Sequence, residues 1–195
     1  MSRYDTFIAG FRGTGINIMC RRLDYLKRGT QIQQHAYYTL TELEIMQDLK
    51  IYHPVLCGTI PIDIAIAESD LDIIMEVYNL TEFKQTLESL YKHLDGFKIK
   101  TTNIRNLPVV KANFFFKGFE CELFGQPQPV EQQNAYLHML IESKLLQETP
   151  NLKEEVILLK EQGYKTEPAF CKMIGLTGLD PYEELLKYGR EQGWI

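Results

Sequence analysis

Apolar residues recur at helical spacing through Ala36, Leu40, Leu43, Met46 and Leu49, which predicts a helix over residues 31–50. Tyr52-His53-Pro54 ends it, because the residue before a proline avoids helical backbone. The apolar run Val55-Leu56-Cys57 predicts a short strand that turns at Gly58, and residues 70–77 predict a second strand. Between them, residues 60–68 suit either a helix or extended chain. Asn79 with Glu82 three positions on has the capping-box arrangement, and Leu80, Phe83, Leu87, Leu90 and Leu94 trace one helix face up to Gly96. Three more strands follow over 98–104, 109–116 and 119–124, with Lys117-Gly118 as a tight hairpin between the last two. Beyond Gln126 the spacing is helical throughout. Leu137, Ile141 and Leu145 mark one helix; Leu152, Val156 and Leu159 mark the next, ending at Gly163. Thr166 caps a short helix that stops at Gly175, and Asp180-Pro181 opens the last, with Glu183 in box position.

This order of elements predicts an α+β fold: a small mixed sheet with flanking helices and a helical carboxy-terminal part. Residues 1–18 form an extension, 19–126 the α/β core, and 127–195 a helical region packed on that core. Gly10-Phe11-Arg12-Gly13-Thr14-Gly15 has no strand before it and lacks the spacing of a dinucleotide-binding loop. Composition is that of an ordinary globular chain, with 45% apolar and 24% charged residues in 195. A net charge of −5 argues against a broad surface for duplex nucleic acid. No apolar run has the length of a membrane span, and no signal-peptide core is present. The four cysteines, at 20, 57, 121 and 171, are scattered without metal-ligand spacing, which suits a reducing, cytoplasmic setting.

Candidate chemistry lies in carboxylates on the predicted strands. Alternation puts Asp70 and Asp72 on one face, with Leu71 and Ile73 behind them. Glu120 and Glu122 repeat the arrangement, backed by Phe119, Cys121 and Leu123. Carboxylates that converge repel one another unless a cation stands between them, and Mg²⁺ favours such oxygen-rich sites, commonly together with phosphates. A lone Asp-x-Asp also occurs in glycosyltransferases and in haloacid-dehalogenase-type phosphatases. The latter need a threonine four positions after the first aspartate, where this chain has Ile74.

The order Cys57-Gly58-Thr59, Ser69-Asp70-Leu71-Asp72-Ile73 and Cys121-Glu122-Leu123 resembles the nucleotidyltransferase superfamily that includes DNA polymerase beta and aminoglycoside nucleotidyltransferases. Gly58-Thr59-Ile60-Pro61, Glu122-Leu123-Phe124-Gly125-Gln126, Gln133-Asn134-Ala135-Tyr136 and Asp180-Pro181-Tyr182 are similar to an uncharacterised bacterial domain family assigned to it. The resemblance implies that Asp70, Asp72 and Glu122 are catalytic carboxylates holding Mg²⁺ or Mn²⁺. It implies that Gly58, Thr59 and Ser69 meet a nucleoside triphosphate, and Lys111, a basic residue in a predicted strand, is a further candidate to meet its phosphates. The acceptor would be a small molecule, a protein or an RNA end. Thr59 stands where serine is commoner, which keeps the hydroxyl and adds a methyl group. Two other readings fit the same residues: an inactive, antitoxin-type binding module, and a metal-dependent phosphohydrolase.

Further candidates are less sharply marked. Glu120 is a possible groove residue, and Glu76 shares the face of Asp70 and Asp72 at greater distance. Asn134, His138 and Glu142 fall on one helical stripe. That stripe either walls the active-site groove, with Asn134 and His138 meeting substrate, or faces solvent with an ordinary His–Glu pair. Lys111 lies in an apolar strand and needs an edge, a route to solvent or a partner.

Overall fold

The computed structural model describes residues 23–195. The expectations for residues 1–18 and for Cys20 lie outside the described residues. Five strands form one sheet in the order β1-β2-β5-β4-β3. They are β1 (Val55–Cys57), β2 (Leu71–Glu76), β3 (Asp95–Ile104), β4 (Leu107–Phe116) and β5 (Phe119–Gln126). β2 and β5 pair parallel; every other pairing is antiparallel. The mixed α+β architecture is the one expected.

Seven α-helices surround the sheet among the described residues: α1 (Gln31–Glu42), α2 (Ile45–Asp48), α3 (Leu80–Tyr91), α4 (Asn134–Glu148), α5 (Leu152–Glu161), α6 (Thr166–Ile174) and α7 (Pro181–Glu191). The helix expected over 31–50 is therefore two. Glu44 takes left-handed backbone (φ 53°), which breaks the hydrogen-bond ladder after Leu43 even though the apolar spacing runs on. A 3₁₀ turn, Lys50–Tyr52, completes the segment before His53 turns the chain into Pro54 and β1. The capping residues of α3 and α7 behave as expected: Asn79 accepts from the Glu82 amide at 3.2 Å, and Asp180 from the Tyr182 amide at 2.9 Å. Thr166, expected as a cap, is instead the first residue of α6. Lys117 and Gly118 both have positive φ, as a two-residue hairpin requires.

Period-2 alternation divides the sheet into two faces. Leu71, Ile73, Met75, Cys121 and Leu123 pack with Leu40 of α1 and with Phe83 and Leu87 of α3. The opposite face turns Val55, Cys57 and Ile74 toward Tyr136 and Met139 of α4. A third apolar cluster joins α4 to α7 and takes in Ile64 from the loop after β1. The helical half thus lies over the sheet face that carries Asp72 and Glu122.

Candidate active site

Gly58 ends β1 with φ +77°, a conformation that suits glycine. A Cβ at this position would lie 2.5 Å from Oδ2 of Asp72, so the missing side chain lets the carboxylate sit against the turn. Residues 60–68, which suited either helix or extended chain, are turns and irregular backbone. The Thr59 hydroxyl donates to Ser69 Oγ at 3.2 Å, and the same oxygen accepts from the Ile66 amide at 2.9 Å. Two buried side chains hold the loop from outside. Gln33 Nε2 of α1 donates to the Ile60 carbonyl at 2.8 Å, and Lys160 Nζ of α5 to the Ile64 carbonyl at 2.7 Å. Asp70, at the end of this loop, is thereby delivered to the start of β2.

Sheet register supplies the rest. Asp72 stands opposite Cys57 on one side and Glu122 on the other. A slip of one residue between β2 and β5 would turn Glu122 to the far face. Asp70, Asp72 and Glu122 bring carboxylate oxygens to within 4.8 Å of one another. Lys111 of β4 forms an ion pair with Glu122, so the partner this buried-strand lysine needs is a site carboxylate. Burial, and then the charges of Asp70 and Glu122, push the Asp72 carboxyl up to about 8, with Lys111 opposing. Three oxygen donors so crowded fit a hard divalent cation, which would relieve the repulsion that one lysine offsets in part.

These carboxylates open into a cleft of about 520 Å³, with Gly58, Thr59, Asp70, Asp72 and Glu122 on one side. Asn134, His138, Glu142, Glu167 and Tyr182 line the other. The Asn134 stripe therefore walls the groove: His138 and Glu142 are 5% and 3% exposed. His138 does not pair with Glu142. Its Nδ1 lies 3.4 Å from Glu167 Oε1, and its Nε2 lies 2.9 Å from the Tyr182 carbonyl.

Ser69 and Lys111 are not on the cleft surface; they brace Thr59 and Glu122 from beside it. Glu120 is exposed and outside the cleft, where it accepts from Asn113 Nδ2 at 3.0 Å. It shares the face of Glu122 but sits about 7 Å back along the strand, toward the hairpin. Glu76 likewise lies outside the cleft lining. Glu167 was not singled out from the sequence. It occupies the first turn of a short helix, and no local pattern ties it to His138.

A family model described as a domain of unknown function (DUF4269) matches residues 38–188. The chain belongs to this family. Among solved structures, this DUF4269 chain is similar to the Cid1 poly(U) polymerase with Mg 3′-dATP bound. The identity is 19% and the TM-score 0.50, over 89% of this chain and 54% of that one. It is also similar to the GLD-2/RNP-8 complex, at 12% identity and TM-score 0.50, over 82% of this chain and 61% of that one. The DUF4269 chain thus spans between half and two thirds of the length of these two chains. At such identities the likeness concerns the fold alone, the expected nucleotidyltransferase-like arrangement of a small mixed sheet with flanking helices. No curated protein matches the chain. No helix among the described residues is long and apolar enough to cross a membrane.

Proposed function

We propose that this protein transfers a nucleotidyl group from a nucleoside triphosphate to an acceptor hydroxyl or amine. Asp70, Asp72 and Glu122 would hold Mg²⁺ or Mn²⁺ for the reaction. The observation that carries this reading is the convergence of those three carboxylates, from a loop end and two paired strands, beside the glycine turn in an open cleft. A divalent cation bound there would neutralise phosphate charge and favour in-line displacement. The chain's own groups do the positioning. The Gly58-Thr59 turn lines the cleft, where its backbone amides would meet phosphate oxygens. Ser69 takes the Thr59 hydroxyl and so fixes the turn from behind. Lys111 holds Glu122 and leaves positive charge near the site. Asn134 and His138 stand across the cleft, where an acceptor would enter.

The test is calorimetric titration of a non-hydrolysable nucleoside triphosphate with and without Mg²⁺. Wild type is expected to bind only with the cation, and Asp70→Asn and Asp72→Asn to lose at least tenfold in affinity while keeping their circular dichroism spectra. Equal affinity in wild type and both variants would overturn the proposal. Product analysis with a hydrolysable triphosphate then separates transfer from hydrolysis, since free nucleoside monophosphate alone would favour the phosphohydrolase reading.

A further inference from the structure

Lys111 stands in β4 between Val110 and Ala112, both fully buried. Alternation sends those two into the core and turns Lys111 to the face that carries Asp72 and Glu122. Its direct neighbours in register are Phe124 on β5 and the exposed Lys100 on β3, and neither neutralises its charge. The ammonium group instead reaches back along β5 to Glu122. Asn113, the residue directly opposite Glu122, donates to Glu120 at 3.0 Å. Glu122 therefore has a full positive charge beside it where the register offered a neutral amide.

That charge acts on the whole carboxylate group. Among the described residues, Lys111 alone forms an ion pair with any of Asp70, Asp72 and Glu122. Burial chiefly raises the Asp72 carboxyl and Lys111 opposes the rise, so its field crosses to the neighbouring strand. Other charged groups of the cleft are engaged elsewhere. Arg105 pairs with Glu183 at 3.3 Å, Lys165 lies next to α6, and Lys160 donates to the Ile64 carbonyl. On the far wall Glu167 meets Nδ1 of His138, while burial, and then Glu167, hold the Glu142 carboxyl well above the usual range, with Lys160 opposing. Lys111 is not on the cleft lining, and its side chain is 26% exposed. It therefore acts on a ligand through its field and through Glu122, with limited screening by solvent.

A fixed positive charge at this place has opposite effects on two kinds of visitor. A bare divalent cation is repelled by it and finds a carboxylate oxygen already engaged. A nucleoside triphosphate stays net negative with one divalent cation bound, and is attracted. We infer that Lys111 biases the three carboxylates against a free divalent cation and toward one that arrives on a triphosphate. This regulation of the site rests on the nucleotidyl-transfer reading, and it makes Lys111 a positioning residue whose charge couples metal binding to nucleotide binding. A lysine that only braced Glu122 would behave differently: its loss would loosen that carboxylate and weaken both ligands alike.

The test titrates the full chain with Mn²⁺ alone, followed by electron paramagnetic resonance, and with a non-hydrolysable nucleoside triphosphate in Mg²⁺, followed by calorimetry. Lys111→Met removes the charge within an apolar strand, Lys111→Gln removes it but keeps a hydrogen-bond donor for Glu122, and Lys111→Arg keeps it. With circular dichroism spectra unchanged, the Met and Gln variants are expected to bind Mn²⁺ alone roughly tenfold more tightly than wild type. The same two should bind the Mg²⁺–triphosphate roughly tenfold more weakly, with Lys111→Arg close to wild type on both ligands. If Lys111→Met fails to fold, Lys111→Gln carries the comparison. Both ligands weakened together, Lys111→Gln behaving as wild type, or unchanged Mn²⁺ affinity would each overturn the inference. Wild type that takes no triphosphate with Mg²⁺ fells the transfer reading, and tighter Mn²⁺ binding in the uncharged variants would still support the bias against the free cation. Triphosphate binding in wild type, matched by both uncharged variants on both ligands, fells the inference alone.

Discussion

Gly58 is constrained twice, by a backbone angle that other residues adopt at a cost and by Asp72 Oδ2 standing where a Cβ would be. Gly58→Ala is expected to cost about 1–3 kcal/mol in chemical denaturation and to weaken triphosphate binding at least tenfold by displacing Asp72. Unchanged affinity would mean that the turn does not approach the phosphates. Single residues of this kind were the most legible part of the chain. Asp70 and Asp72 needed only the alternation of a strand, and Gly58 only the end of an apolar run. Choosing between Glu120 and Glu122 rested on family likeness rather than strand geometry, because alternation gives both the same face. Glu167 was illegible for a different reason: its distance to His138 is set by how α6 packs against α4, which local spacing does not encode.

At the level of elements, the loop after β1 is held chiefly by groups distant in sequence. Ile64 is fully buried among the carboxy-terminal helices, and its carbonyl accepts a hydrogen bond from Lys160 Nζ. Ile64→Ala should lower stability by about 2–5 kcal/mol, measured by denaturant unfolding. It should also weaken nucleotide binding, although the residue touches no carboxylate of the site. Helix α4 carries a pH signature. Above the ordinary carboxylate range the unfolded chain has released the Glu142 proton while the folded chain, with its raised value, retains it, so stability falls as pH rises through that window. Glu142→Gln is therefore expected to melt higher than wild type at pH 7, with the advantage shrinking toward pH 4; each pH unit of the window corresponds to about 1.4 kcal/mol. A gap that widens toward acid would contradict this sign. Strands and most helices matched their apolar spacing to within a few residues. The break between α1 and α2 did not show, since the buried residues keep helical spacing across a single left-handed glutamate.

Across the whole molecule, the helical half covers the sheet face that bears the site, with Tyr136 and Met139 on Val55, Cys57 and Ile74. Residues 23–126 expressed alone would expose that face, and we expect them to give no cooperative thermal transition; a sharp one would show the core to be self-sufficient. The general architecture was legible because strand and helix periodicities alternate clearly along the chain. What no period announces is the parallel pairing of β2 with β5, separated by α3, β3 and β4. Asp72 and Glu122 become neighbours only through that closure, and contacts so far apart in sequence are slow to form because the intervening chain must first be ordered. On the proposed reading, a cation could therefore be gripped only after that closure, so that a nascent or damaged chain would sequester neither metal nor nucleotide until its central strands have met.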